Sequence, residues 1–257
     1  MGGLFHRLRH PRRCYVVCAI ARSGSNLLTD GLHATRRAGR PKQFFLRKYE
    51  AHYAARCRLE ANDFAGYVRG IIPATATSNE VFGFKLMGWY LQEFLDRLRE
   101  TREFGGAEPG QDFEMLRNAF PQLQFVQIVR HNKVRQAVSK ARAAQTGLWK
   151  VQEGNSAFGK PAFDPDLIAS CIEDALREEM IWARFFDRIG AEPFRVEYED
   201  LTANYAETIA GMLRFLKIPP PRRASLRPTT VRQTDALSRE WEERFLSLRS
   251  PNELLIS

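Results

Sequence analysis

Apolar and polar positions fall in blocks along this chain, and the blocks read as repeated strand–loop–helix units. Tyr15 to Ile20 is a continuous apolar run, the pattern of a strand buried on both faces of a parallel sheet. A small polar turn, Arg22-Ser-Gly-Ser25, punctuates it, and from Asn26 to Thr35 apolar residues recur at helical spacing. The unit returns at Gln124 to Val129, followed by Arg130-His-Asn132 and a helical pattern from Lys133 to Gln145. Between the two, Val81 to Met87 reads as a strand and Tyr90 to Glu103 as a helix, with 105–111 as a connection. Further on, 147–165 is a Gly-, Pro- and Asn-bearing loop over a site or at an interface, and Ile168 to Ile189 is the longest helical pattern. Phe194 to Tyr198 is a short strand and Asn204 to Leu216 a helix. Alternation of this kind predicts an α/β protein with a parallel sheet. No internal repeat divides the 257 residues, so the expectation is a basic N-terminal extension over 1–13 and a single domain over 14–257.

Composition adds one fact, which is where the charge sits. Hydrophobic residues make up 44% and charged residues 27%, which excludes a disordered chain, and no run approaches the ~20 apolar residues of a membrane span. Lys and Arg number 39 against 30 Asp and Glu, a net charge of +9. Arg36 to Lys48 holds six basic residues and no acid, Arg130 to Lys150 six and none, and Arg222 to Arg232 four and none. Clusters of one sign predict an anionic ligand. No zinc-finger spacing, basic zipper or RNP-like aromatic pattern accompanies them, so a small phosphorylated ligand is expected and nucleic acid is not.

Cys14, Cys18, Cys57 and Cys171 show neither CxxC pairing nor a His at zinc-ligand spacing. Four reduced thiols in a cytoplasm are expected, and no metal. The run Cys14 to Ala21, preceded by Arg7, Arg9, Arg12 and Arg13, imitates a signal peptide. It is short for that role and fits a buried strand.

The first loop carries the sharpest chemical signal. A strand that ends in a small polar turn and opens a helix gathers unpaired backbone N–H groups and the helix dipole at one point, where an anion can sit. Arg22, Ser23, Gly24, Ser25 and Asn26 then wrap a phosphate: Gly24 lets the backbone approach, the serines donate, and Arg22 adds a charged donor. The same residues also fit an ordinary turn with a serine N-cap. GxxxxGK[ST] is absent, which disfavours a kinase or GTPase.

Taken in order, several motifs resemble the sulfotransferases that use 3'-phosphoadenosine-5'-phosphosulfate (PAPS), and most of all the mycobacterial trehalose 2-sulfotransferase family. They are Ala21-Arg-Ser-Gly-Ser25 with Leu27-Leu28, Ala38-Gly39-x-Pro41-x-x-Phe44-Phe45, Gly83-Phe-Lys-Leu-Met87, Val129-Arg130 with Gln136-Ala-Val-Ser139, Tyr198-Glu-Asp-Leu201, and Arg232-Gln233 followed by Trp241. The resemblance implies a P-loop-like three-layer sandwich, a central mainly parallel sheet flanked by helices. It implies PAPS as donor co-substrate, with the 5'-phosphosulfate on Arg22, Ser23, Gly24, Ser25 and Asn26, and the 3'-phosphate on Arg130 and Ser139. Arg232 and Gln233 resemble the late loop that closes over the nucleotide. Tyr198-Glu-Asp-Leu201 recurs across sulfotransferases, where it shapes the fold, and is assigned no chemistry. A homodimer is implied on the same ground.

Sulfuryl transfer is an in-line displacement in which positioned cations do most of the work, and Arg22 and Lys85 are the candidates. Lys85 lies in an otherwise apolar strand, where a lysine has either a partner or a route to the edge. In the resembling family a glutamate just before the Phe-Phe pair is the proposed base, with a second acid three positions earlier. Here these positions are Gln43 and Arg40. An amide accepts no proton near neutrality. Three explanations stand: another base among Glu50, His52 and Asp63, an acceptor that needs little base help, or lost catalysis. Gln43 and Arg40 can still orient a sugar or bind an acidic acceptor. Phe44, Phe45, Tyr49, Tyr53, Trp89 and Trp149 are candidates for a sugar platform, though eighteen Phe residues must largely be core. The expectation is a sulfotransferase acting on a hydroxyl of a carbohydrate or glycolipid acceptor. The alternatives are a catalytically impaired nucleotide- or glycan-binding homologue and a small-molecule kinase.

Overall fold

The computed structural model describes residues 11–60, 63–105, 108, 110–149, 159–220 and 236–248. β1 (Arg13–Ala19) turns into α1 (Ser25–Ala34), and α2 (Arg47–Cys57) and α3 (Phe64–Thr75) precede β2 (Val81–Met87). One 3₁₀ turn, Gly88–Tyr90, joins β2 to α4 (Leu91–Thr101), and α5 (Asp112–Ala119) leads to β3 (Gln124–Val129) and α6 (Lys133–Thr146). There follow α7 (Pro165–Ile189), β4 (Phe194–Glu197), α8 (Tyr198–Ala203), α9 (Tyr205–Phe215) and α10 (Ala236–Ser247).

The strands form one sheet in the order β2-β1-β3-β4, every pairing parallel. Val17 of the central strand is paired with Lys85 on one side and Val126 on the other. All of β2, and all of β1 but Arg13, is buried, as a parallel sheet covered by helices on both faces requires. Rings fill much of the core: Phe84 and Phe120 stack at 4.7 Å, and Phe45 meets Phe94 at 5.2 Å. A smaller cluster, with Val138, Ile168, Trp241 and Phe245, joins α6, α7 and α10. No described helix is long and apolar enough to cross a membrane.

Most element boundaries shift by one or two residues from the sequence reading, and at two of them a local reason is plain. Helix α7 begins inside the expected 147–165 loop, because Asp164 caps it, accepting from the Leu167 N–H at 2.9 Å, and Pro165 sits at its start where its missing N–H costs nothing. The strand expected through Tyr198 stops at Glu197, and Tyr198 opens α8. The polar helix α2 escaped the apolar periodicity because it buries only Glu50 and Ala54.

Gly83 is where β1 and β2 meet without side-chain room. A Cβ there would lie 2.3 Å from Tyr15 Cζ, and that ring is fully buried with its hydroxyl donating to the Ala38 carbonyl at 2.5 Å. Gly83→Ala is therefore expected to cost about 1–3 kcal/mol by overpacking. Urea unfolding should show a lower midpoint at unchanged slope.

Candidate active site

The turn after β1 is built on two left-handed residues, Arg22 (φ 60°) and Gly24 (φ 93°). Only glycine fits the second, since a Cβ on Gly24 would lie 2.3 Å from Tyr198 Cδ2. Gly24 is also the N-cap of α1, and no side chain caps that helix. The serine cap of an ordinary turn is therefore absent, and Ser25 stands at the mouth of the helix instead. Ser23 departs from the expected pair of donating hydroxyls. It is fully buried behind the turn, and its Oγ donates to the Ile20 carbonyl at 2.9 Å, so its side chain braces the loop.

Strand order then concentrates charge. The connection from β1 leads toward β2 while that from β3 leads toward β4, which opens a crevice at the carboxyl ends of β1 and β3. A cavity of about 790 Å³ lies there. Lys85 enters it from the adjacent strand and is only 5% exposed. It does not run to the edge: its ammonium donates to Asn26 Oδ1 at 2.7 Å and reaches Ser25 Oγ at 3.4 Å. Arg130, just beyond β3, is also 5% exposed and lies 4.4 Å over the Tyr198 ring. One of its Nη atoms donates to the Arg22 carbonyl at 3.2 Å, while its Nε is buried with no partner. Arg22 Nε donates to Ser139 Oγ at 2.9 Å, and its Nη1 to the Trp149 carbonyl at 2.7 Å. Gln136 ties α6 to the loop by donating to the Ala21 carbonyl at 2.7 Å. Arg130 and Ser139 thus share one cavity, with Arg22 between them.

Burial, followed by the neighbouring Arg130, pulls Arg22 down to about 10. Burial likewise lowers Arg130. Both remain cations at neutral pH, held close together, and an anion placed between them relieves both desolvation and repulsion.

The far wall carries Gln43. The Lys85 N–H donates to the Lys42 carbonyl at 2.9 Å, laying this segment along β2 so that Gln43 lines the cavity, whereas Arg40 is exposed and outside it. The three expected alternative bases are elsewhere. Glu50 makes a two-pronged ion pair with Arg97 at 2.5 and 2.8 Å, Asp63 caps α3, and His52 is exposed beside Tyr53. Of the six candidate platform rings, Phe44 and Phe45 are core and Tyr53 packs against it, while Tyr49, Trp89 and Trp149 line the cavity as exposed rings. Arg232 and Gln233 lie outside the described residues.

Among the cavity residues with no role assigned in the sequence, Tyr198 and Glu178 stand out. Tyr198 supports Arg130 and closes over Gly24, so the Tyr-Glu-Asp-Leu motif does touch the site. Glu178 also lines the cavity. Its signal was legible as an acid on the apolar stripe Ile168, Cys171, Ala175, Glu178, Trp182, Phe185, all buried.

A parallel α/β sheet that gathers buried cations around its first strand-to-helix loop defines a protein that handles an anionic group. Residues 14–247 match the Stf0 sulphotransferase family, and the chain belongs to it. It is 29% identical to the trehalose 2-sulfotransferase of Mycolicibacterium smegmatis (strain ATCC 700084 / mc(2)155), over 92% of this chain and 95% of that protein. It is 28% identical to that of Mycobacterium tuberculosis (strain ATCC 35801 / TMC 107 / Erdman), over 91% and 94%. Among solved structures, the sulfotransferase domain of the Synechococcus PCC 7002 olefin synthase matches with a TM-score of 0.45 at 14% identity, over 95% of this chain and 90% of that one.

Burial raises the Glu178 carboxyl from 4.5 to about 7, against the opposing pull of Lys140 and the Trp89 peptide N–H. The fold thus favours its protonated form, an advantage complete below about pH 4.5 and lost as pH rises through about 7. Unfolding free energy measured in urea should fall across that window in the wild type, and fall less in Glu178→Gln.

Proposed function

We propose that this chain transfers a sulfuryl group from PAPS to a hydroxyl of a carbohydrate or glycolipid acceptor. The observation that carries the reading is that Arg130, buried and with its Nε unpartnered, lines a cavity into which Arg22 and Lys85 also reach. A polar donor left unpaired in the interior costs the fold about 1–3 kcal/mol, and a phosphate oxygen satisfies it.

In this reading the 3'-phosphate lies against Arg130 and Ser139, and the 5'-phosphosulfate against the loop from Arg22 to Asn26, where Gly24 exposes backbone N–H groups of α1. PAPS supplies the activated sulfuryl group and a phosphate leaving group. Arg22 and Lys85 stabilise the charge that gathers on the leaving oxygens, which needs no proton transfer from either. Arg232 and Gln233 are assigned to the nucleotide on family resemblance alone. The acceptor hydroxyl enters between Gln43 and the exposed faces of Tyr49, Trp89 and Trp149, rings on which a sugar packs. The relatives named above act on trehalose, which makes that sugar the first acceptor to try. The buried thiols Cys14, Cys18 and Cys171 fit a cytoplasmic setting.

Adenosine 3',5'-bisphosphate, the desulfated donor, tests the site with no acceptor present. Calorimetry should show micromolar binding of the bisphosphate to the wild type and about 10- to 100-fold weaker binding to Arg130→Ala, the loss of a charge-assisted contact. ATP with magnesium, the comparator, should bind far more weakly. Equal affinity in the two proteins would remove Arg130 from the 3'-phosphate site.

A further inference from the structure

We propose that Glu178 accepts the proton of the acceptor hydroxyl in this chain, an assignment that rests on the sulfuryl-transfer reading above. Gln43 lines the cavity but cannot take a proton near neutrality. Glu50 and Asp63 are committed to an ion pair and a helix cap.

Helix α7 is fixed across the carboxyl ends of β1 and β2. Trp182 Nε1 donates to the Ala19 carbonyl, the last of β1, at 3.0 Å. Gly88, just past β2, leaves room for little more than the helix: a Cβ there would lie 3.1 Å from the Glu178 carbonyl oxygen and 3.2 Å from Trp182 Nε1. Glu178 is one turn before Trp182 on the same helix face. Its side chain therefore stands over the strand ends from which Lys85 and the first loop also reach, and it lines the cavity with Arg22, Lys85 and Ser139. It is 9% exposed, and its Oε2 is buried with no hydrogen-bond partner. The carboxyl thus keeps unspent acceptor capacity beside the cavity that the residue lines, and a ligand hydroxyl can donate to it.

The groups facing it are Lys140 of α6, Asp174 of its own helix and the Trp89 peptide N–H. Asp174 is itself held by Lys140 at 2.8 Å and Arg177 at 3.1 Å. With its carboxyl raised to about 7 by burial, Glu178 titrates where a general base works best. In the step, the acceptor oxygen bonds to sulfur as the bond from sulfur to the donor's phosphate oxygen breaks. The hydroxyl proton passes to Glu178, and the electron pair of the broken bond departs on the phosphate, facing Arg22 and Lys85.

The test follows transfer from radiolabelled PAPS to trehalose and to water alone, across about pH 5.5 to 8.5, beside bisphosphate affinity by calorimetry. Glu178→Gln is expected to lose about 10²- to 10⁴-fold in transfer, together with the acidic limb near pH 7, at unchanged bisphosphate affinity. Adding Gln43→Glu should restore part of the loss by returning a carboxylate to the same cavity. Glu178→Asp, which keeps the carboxyl one methylene back, should retain the limb at a reduced rate and serves if the Gln variant does not fold. Glu178→Gln transferring within about twofold of wild type overturns the assignment, and so does a Glu178→Asp variant that transfers without the limb near pH 7. A wild type that binds the bisphosphate but transfers to neither acceptor overturns it too. A wild type that does not bind the bisphosphate overturns the donor reading as well, which separates the two failures.

Discussion

Burying like charges together is the constraint on which the rest of this structure depends. Arg22, Lys85 and Arg130 come from three separate segments and meet at one end of the sheet. Arg22 and Arg130 are hydrogen-bonded through a serine hydroxyl and backbone carbonyls, with the face of Tyr198 under Arg130 and a Coulombic pull on it from Glu199 and Glu242, while Lys85 reaches Asn26 and Ser25. A hydrogen bond to a neutral group fixes a cation's geometry without cancelling its charge, which suits an anion site. A carboxylate paired to each would give a more stable fold and a poorer anion site. Contrast Arg97, which a two-pronged pair with Glu50 renders purely structural.

The missing Walker lysine also acquires a physical explanation. In a P-loop the cation is carried by the loop itself, whereas here Lys85 arrives from β2, paired in register with Val17, two residues before Ala19 at the strand's end. It reaches the loop through Ser25 and Asn26. The charge is supplied by sheet register instead of by local sequence, and no loop motif reports it. A lysine in an otherwise apolar strand is the trace it leaves.

The strands and the donor loop were legible because both depend on near neighbours in sequence: β2 and β3 match their apolar runs residue for residue. What was not legible depends on distance. That Ser23 faces inward while Ser25 faces the cavity follows from the turn's left-handed residues, and no composition rule separates the two. Tyr198 gains its role from Arg130 and Gly24, far away in the chain. Glu50, His52 and Asp63 were attractive for their closeness in sequence to Gln43, and helix packing sends all three elsewhere. Glu178 is the reverse case, remote in sequence and close in space.

The parallel sheet carries a kinetic consequence. Parallel neighbours cannot be joined by tight turns, so each pairing waits on a long crossover, and closing such loops slows folding. The cavity draws residues from Ala21 through Ser238. Its three like charges, on or just past β1, β2 and β3, meet only where both parallel crossovers have closed. A fragment that lacks any one of these strands therefore brings fewer than three of the cations together.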